Sequence, residues 1–279
     1  MKNTIKALGW RTDLLLLGTE AEIEEKSDYV VGRCPEVPEF YWGNFLVFRQ
    51  PPKQGDLERW ISIFQQEFAG MPAVRHVTLG WDDSVGDKGE IKSFVDAGFG
   101  FEKVDVQVAT EESLHNKPKG YNKELEVRPI NKDEEWRSSM ELQISSHGPN
   151  DPSGLAAFST YCEKMMSLRQ ALVRAGRGLW WGAWCPKTKE LVGNLGVFWG
   201  DTDLARYNEV LTAEKWRRRG VCTTLMARSA HDALSRPKIK RLVITADIDS
   251  AASKIYEALG FIKVEREVGL LRRPKSKTK

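Results

Sequence analysis

Cysteine is scarce in this chain of 279 residues, and the four present, Cys34, Cys162, Cys185 and Cys222, fall at no metal-ligand spacing. The four histidines, His76, His115, His147 and His231, are equally unpaired, so no catalytic metal is expected. Reduced thiols and a cytoplasmic location are the expectation. Long apolar runs are missing too. Leu14 to Leu17 is far too short for a membrane span and follows Arg11 and Asp13, so it reads as neither signal peptide nor anchor but as a first strand. Charge of one sign is also lacking. A net charge of +3 does not indicate a nucleic-acid binder, and the basic tail Arg272 to Lys279 is expected to be a solvated terminus. Neither a nucleic-acid nor a membrane partner is expected, and the protein is expected to be a monomer or homodimer.

What the chain does have is a pair of motifs near its C-terminus. Val210-Leu211-Thr212 is a short apolar and β-branched run, and Cys222, Met226, Ala230, Ala233 and Leu234 share one face of a following helix. Arg217-Arg218-Arg219-Gly220-Val221-Cys222-Thr223 is therefore a strand-to-helix connection. The first N–H groups of a helix have no internal partner and the helix dipole is positive there, which makes such a junction an anion site. Gly220 lets the main chain approach a ligand closely, and three arginines add charge. The competing reading is a helix start beside a solvated basic run.

About thirty residues on, Leu242 to Ala246 reads as a buried strand. Asp249 or Ser250 can cap the next helix, and Ala252, Ile255, Tyr256 and Leu259 share its inner face. Gly260 ends that helix and Phe261 to Val264 resumes as a strand.

With both motifs in register, the segment from about Leu125 to Leu270 resembles the GNAT superfamily of N-acetyltransferases. The family's cofactor motif is matched by Arg217, Gly220 and Cys222, with cysteine where glycine or alanine is usual. Its second motif is matched by Asp249, Ala252, Tyr256, Leu259, Gly260 and Phe261, with aspartate for the usual asparagine, and a carboxylate cannot donate a hydrogen bond to a cofactor arm. Val127-Arg128-Pro129-Ile130 resembles the family's first strand. The resemblance implies acetyl-CoA as co-substrate, with Val210, Leu211 and Thr212 offering the backbone N–H that polarises the thioester. The loop Arg217 to Thr223, Asp249 and Ala252 would bind the cofactor, and Tyr256 would protonate the departing thiolate.

For the general base, Glu209 is the chemically competent candidate, with Asp247 and His147 in reserve. Strand alternation would let only one of Asn208 and Glu209 face a substrate. The acceptor is expected to be a small-molecule or peptide amine, with the loop Ser145 to Pro152 a place to build its pocket. Trp180, Trp181, Trp184 and Trp199 read as strand core or as an aromatic wall around it. Two alternatives stay open: a transferase using another acyl-CoA or an aminoacyl-tRNA, and a non-catalytic CoA sensor.

The first half reads as a worn copy of the second. Leu57, Trp60, Ile61, Phe64 and Phe68 form a helical stripe after Asp56, Val74 to Leu79 is a strand candidate, and Phe94-Val95-Asp96-Ala97-Gly98-Phe99 has the layout of Tyr256 to Phe261. The cofactor loop is replaced by Gln50-Pro51-Pro52-Lys53-Gln54-Gly55, in which proline has no N–H to offer, and the tyrosine by Phe94. The expected fold is therefore α/β (α+β), as two tandem GNAT-like domains, each a mixed, mostly antiparallel sheet flanked by helices. Residues 1–116 would be acatalytic and 117–279 catalytic, with the polar segment Glu111 to Gly120 as linker.

Overall fold

The computed structural model describes residues 4–115, 118–146 and 152–274. It divides into two compact units, one made of residues 1–106 with 264–279, the other of residues 107–263. The division differs from a single cut at residue 116. The last strand of the chain returns to the first unit, and the polar segment expected as linker falls inside the second.

The first unit opens with α1 (Leu8–Asp13) and a 3-10 turn, Leu14–Leu16, where the sequence suggested a strand. The reason is visible in the burial. Trp10, Leu14 and Leu17 are all inside, at spacings of four and three, which is a helical period that a four-residue leucine run conceals. The strands β1 (Glu22–Glu25), β2 (Tyr29–Arg33) and β3 (Phe45–Phe48) follow, joined antiparallel. α2 (Asp56–Glu67) leads to β4 (Val77–Trp81), which pairs parallel to β3. After α3 (Lys92–Asp96) comes β5 (Gly100–Ala109). The final strand, β11 (Ile262–Arg272), pairs antiparallel to β4, with Gly269 opposite Gly80 and Arg272 opposite Val77.

The core of this unit holds Leu46, Phe48, Trp60, Phe64, Leu79, Trp81 and Phe94 with Val268 and Leu270 of β11. Trp60 stacks on Phe48 with centroids 3.8 Å apart and planes 7° apart, a contact worth about 0.5–1.5 kcal/mol beyond the area it buries.

The second unit carries β6 (Glu126–Pro129), α4 (Asp133–Ser145), α5 (Pro152–Arg174), β7 (Gly178–Trp184), β8 (Leu191–Trp199) and β9 (Leu204–Thr212). Strands β6 to β9 pair antiparallel in chain order. α6 (Val221–Leu234), β10 (Arg241–Asp247) and α7 (Ala251–Ala258) complete it. β10 lies parallel to β9, so the strand–helix–strand unit β3–α2–β4 recurs as β9–α6–β10. Along the chain a short helix and another strand follow each time, α3 and β5 after β4, and α7 and β11 after β10. The apolar stripe of α6 packs Val221, Leu225, Met226, Ala230 and Ala233 onto Val197, Tyr207 and Leu242. Among the described residues, no helix is long and apolar enough to cross a membrane, and no group of three or more His, Cys, Asp and Glu could hold a metal ion.

Candidate active site

Strands β9 and β10 are in register over only three residues, Leu204–Arg206 against Arg241–Val243, although β9 runs on to Thr212 and β10 to Asp247. Beyond that point the two part. Past it, Arg206 donates to Thr245 Oγ1 at 2.7 Å. The cause lies in β9, which carries a bulge. Gly196 faces Asn208 while Asn194 faces Leu211, so β9 spends one extra residue there, and Glu209 takes a left-handed φ of +52°. A bulge bends its strand and strengthens the local twist. It leaves Val210, Leu211 and Thr212 on a strand half with no β10 partner among the described residues.

The arginine loop follows at once. A 3-10 turn, Glu214–Trp216, leads into extended Arg217, left-handed Arg218 at φ +61° and left-handed Gly220 at φ +75°, and α6 begins at Val221. Two left-handed residues ahead of a helix aim successive N–H groups into a concavity suited to an anion. Glu214, Lys215, Arg217, Arg218 and Arg219 line an open depression of about 560 Å³ there, four cations against one carboxylate. Arg219 lies 5.2 Å over the Trp216 ring. A side chain at Gly220 is impossible without rearrangement, because its Cβ would stand 2.0 Å from the carbonyl oxygen of Gly120.

Tyr256 sits on α7, 5 % exposed, with its ring 6.2 Å from Phe261. Its phenol has no hydrogen-bond partner among the described residues, and burial, then neighbouring Cys222 and Tyr207, hold its pKa far above the ordinary tyrosine value. Removal from water pushes the Cys222 thiol up to about 12. Ser250 caps α7 by accepting from Ser253 N, whereas Asp249 is exposed and left-handed at φ +58°, with Lys263 3.9 Å away. Ala252 packs on the core from the same helix, and Asp247 ends β10 in solvent. Val221, Cys222 and Thr223 form the first turn of α6.

The other side of the sheet holds a polar group that the sequence did not disclose. Arg169 of α5, 1 % exposed, donates from Nε to Glu209 Oε1 at 3.0 Å and lies 5.6 Å over the Phe198 ring. A Cβ at Gly196 would meet Phe198 and Trp180, and Asn208 is directly opposite Gly196, so Asn208 shares that face. Glu209 reaches it as well. The expected alternation, in which only one of the two could face a substrate, is thus broken by the bulge. Asn208 Oδ1 is buried with no hydrogen-bond partner among the described residues. Nearby, Ser139 Oγ accepts from Trp180 Nε1 at 2.8 Å and Asn194 Nδ2 at 2.7 Å, and Gln143 Nε2 donates to Asn194 Oδ1 at 3.0 Å. Of the expected tryptophans, Trp180, Trp181 and Trp184 are buried in β7. His147 and residues 147–151 of the expected acceptor loop lie outside the described residues. Arg169, Ser139 and Asn194 carried no sequence signal, since each belongs to an ordinary helix or strand pattern.

Residues 146–269 match the family model for an acetyltransferase (GNAT) domain. The chain carries a GNAT domain. The fold agrees over nearly the whole length. A GCN5-related N-acetyltransferase from Kribbella flavida superposes with a TM-score of 0.62 at 11% identity, covering 96% of this chain and 96% of that one. A functionally unknown conserved protein from Staphylococcus epidermidis reaches 0.70 at 12% identity, covering 91% of this chain and 95% of that one. A tandem GNAT protein from the clavulanic acid biosynthesis pathway gives 0.55 at 14%, with 96% and 95% covered. At such identities the likeness is one of fold. No curated protein matches the sequence.

Proposed function

We propose that the protein is an acetyl-CoA-dependent N-acetyltransferase acting on a primary amine by direct attack in a ternary complex. The observation that carries this reading is the arginine-lined loop with left-handed Arg218 and Gly220, set between the half of β9 that has no β10 partner among the described residues and the N-terminus of α6. In the proposed reaction the pyrophosphate rests on the loop from Arg217 to Thr223, and the pantetheine arm runs between the parted strands, within reach of Asp249 ahead of α7 and Ala252 on it. Backbone N–H groups of Val210 to Thr212 polarise the thioester carbonyl, and one such oxyanion donor is worth about 3 kcal/mol. The amine nitrogen attacks, giving its proton to Glu209; the C–N bond forms, the C–S bond breaks, and Tyr256 gives its proton to the leaving sulfur. Holding both reactants supplies much of the remaining rate. A cytoplasmic location belongs to the same reading and agrees with four free cysteines.

The loop is tested by calorimetry on the triple variant Arg217→Ala, Arg219→Glu, Gly220→Asp, in which CoA binding should be lost. Affinity within a few-fold of the parent would remove the pyrophosphate assignment. Release of free thiol with a panel of primary amines then separates an enzyme from a CoA sensor, which would bind and release none.

The first unit is proposed to bind no cofactor. At the N-terminus of α2 the carboxylate of Asp56 already accepts from Lys53 N at 2.8 Å and holds Arg59, so a negative charge occupies the ground a phosphate would need. Pro52 contributes a carbonyl, to Glu90 N at 2.8 Å, and no donor. Phe94, fully buried, packs edge-on to Phe99 where the second unit has Tyr256. One acetyl-CoA per chain is the expected stoichiometry in calorimetry, and a value of two would contradict it.

A further inference from the structure

The segment that enters the second unit is built into the cofactor loop. Asn122 Nδ2 donates to the carbonyl of Arg219 at 2.9 Å, and Asn122 N donates to Thr224 Oγ1 at 2.8 Å. That hydroxyl, on a residue only 1 % exposed, donates in turn to the carbonyl of Gly220 at 2.7 Å. Gly120, itself left-handed at φ +86°, presents its carbonyl oxygen where a Cβ of Gly220 would be.

These bonds fix more than position. A trans peptide is planar, with its C=O and the following N–H pointing in opposite directions. Tying the Arg219 carbonyl to Asn122 therefore turns the Gly220 N–H to the side away from Asn122, and tying the Gly220 carbonyl to Thr224, through its backbone N–H at 3.0 Å as well as its hydroxyl, turns the Val221 N–H away from the helix. Both belong to the set of helix-start donors with no partner inside the helix. Left-handed Arg218 is a conformation that non-glycine residues seldom hold unless their surroundings impose it. Asn122, from outside the loop, bonds the carbonyl of the next residue, Arg219.

Resting on the acetyl-CoA reading above, we infer that Asn122 is a positioning residue of the cofactor site. It touches no substrate. Its amide orients the Arg219–Gly220 peptide so that the loop meets a pyrophosphate already formed. The polar segment read as a linker ends at Gly120, and from there to Asn122 the chain forms one wall of the loop.

The test is calorimetry on the full chain with two probes, CoA and pantetheine, the second lacking the pyrophosphate. Asn122→Ala should weaken CoA about tenfold, the size of one lost hydrogen bond serving a charged group, and leave pantetheine affinity at the parent value. Thr224→Val should act in the same direction, and Thr224→Ser, which keeps the hydroxyl, should bind as the parent does. The serine and valine pair decides the matter if the alanine variant is poorly folded. CoA affinity within twofold of the parent in Asn122→Ala, with the parent binding well, overturns the inference; so does an equal loss for both probes, which marks a general structural effect. A parent that fails to bind CoA sinks the cofactor reading itself, a different result from either.

Discussion

Tyr256→Phe should turn over on the order of 100-fold more slowly than the parent while binding CoA with the same affinity, the size being that of general acid catalysis. The variant removes one oxygen from a residue 5 % exposed, and that oxygen has no hydrogen-bond partner among the described residues, so no bond of the fold is lost. A loss confined to kcat is the mark of an interaction made in the transition state. A phenol whose pKa lies well above its ordinary value would be a poor acid toward a thiolate in water. On the acetyl-CoA reading a thiolate expelled beside Tyr256 would be out of water too. Cys222 reports what this position does to a thiol, since burial pushes it up to about 12, and a sulfur anion expelled beside Tyr256 gains basicity for the same reason. Donor and acceptor would thus be shifted in the same direction. The measurement is free-thiol release with an amine whose chemical step is rate-limiting. Equal rates for parent and variant would leave Tyr256 as a packing residue.

The geometry of the arginine loop was legible because its signals are local. A glycine that must be left-handed, a run of arginines and a helix start lie within six residues, Arg217 to Cys222, and the chain order of strand, loop and helix already states the geometry. The fold repeated that success at β10, α7 and the strand after Gly260. The polar group on the other face of the sheet was not legible. Glu209 could be named from its chemistry, but its partner Arg169 lies forty residues earlier on a helix, α5, and the bulge that brings both Asn208 and Glu209 to one face depends on how β9 pairs with β8. Alternation is a rule about regular strands, and one extra residue cancels it. The linker failed to show its role for a related reason. Polar composition with Pro and Gly marks a segment without regular structure, and says nothing of what that segment touches. The exchange of the last strand into the first unit is likewise a matter of pairing between distant residues, Leu270 with Leu79 for example, which no local pattern records.

Acidification should weaken the first unit through His76, by up to about 3 kcal/mol between pH 7 and pH 4. His76 is 2 % exposed; its Nε2–H donates to the carbonyl of Asn44 at 3.2 Å, and its ring lies 4.8 Å from Tyr41 and 6.4 Å from Phe64. Burial lowers its pKa from 6.5 to about 4, with the Asn44 carbonyl opposing in part. The folded chain therefore holds the ring neutral through a range in which the unfolded chain is protonated. Where the unfolded state binds more protons, stability rises with pH, so this contribution is complete above about pH 6.5 and is lost progressively as pH falls toward 4. Below 4 both states carry the proton and the loss is finished. Carboxylates also titrate in this range, so the measurement is a difference. Urea denaturation at pH 7 and pH 4 should show a smaller drop for His76→Gln than for the parent, by roughly the 3 kcal/mol given above. Glutamine keeps an N–H for Asn44 and has no charge to gain. Its absolute stability at pH 7 will be lower, because the ring's packing against Tyr41 and Phe64 is gone, and only the pH dependence bears on the claim. Identical drops for the two proteins would mean that His76 titrates in the folded chain as it does in the unfolded one, and that its burial does not exclude the proton.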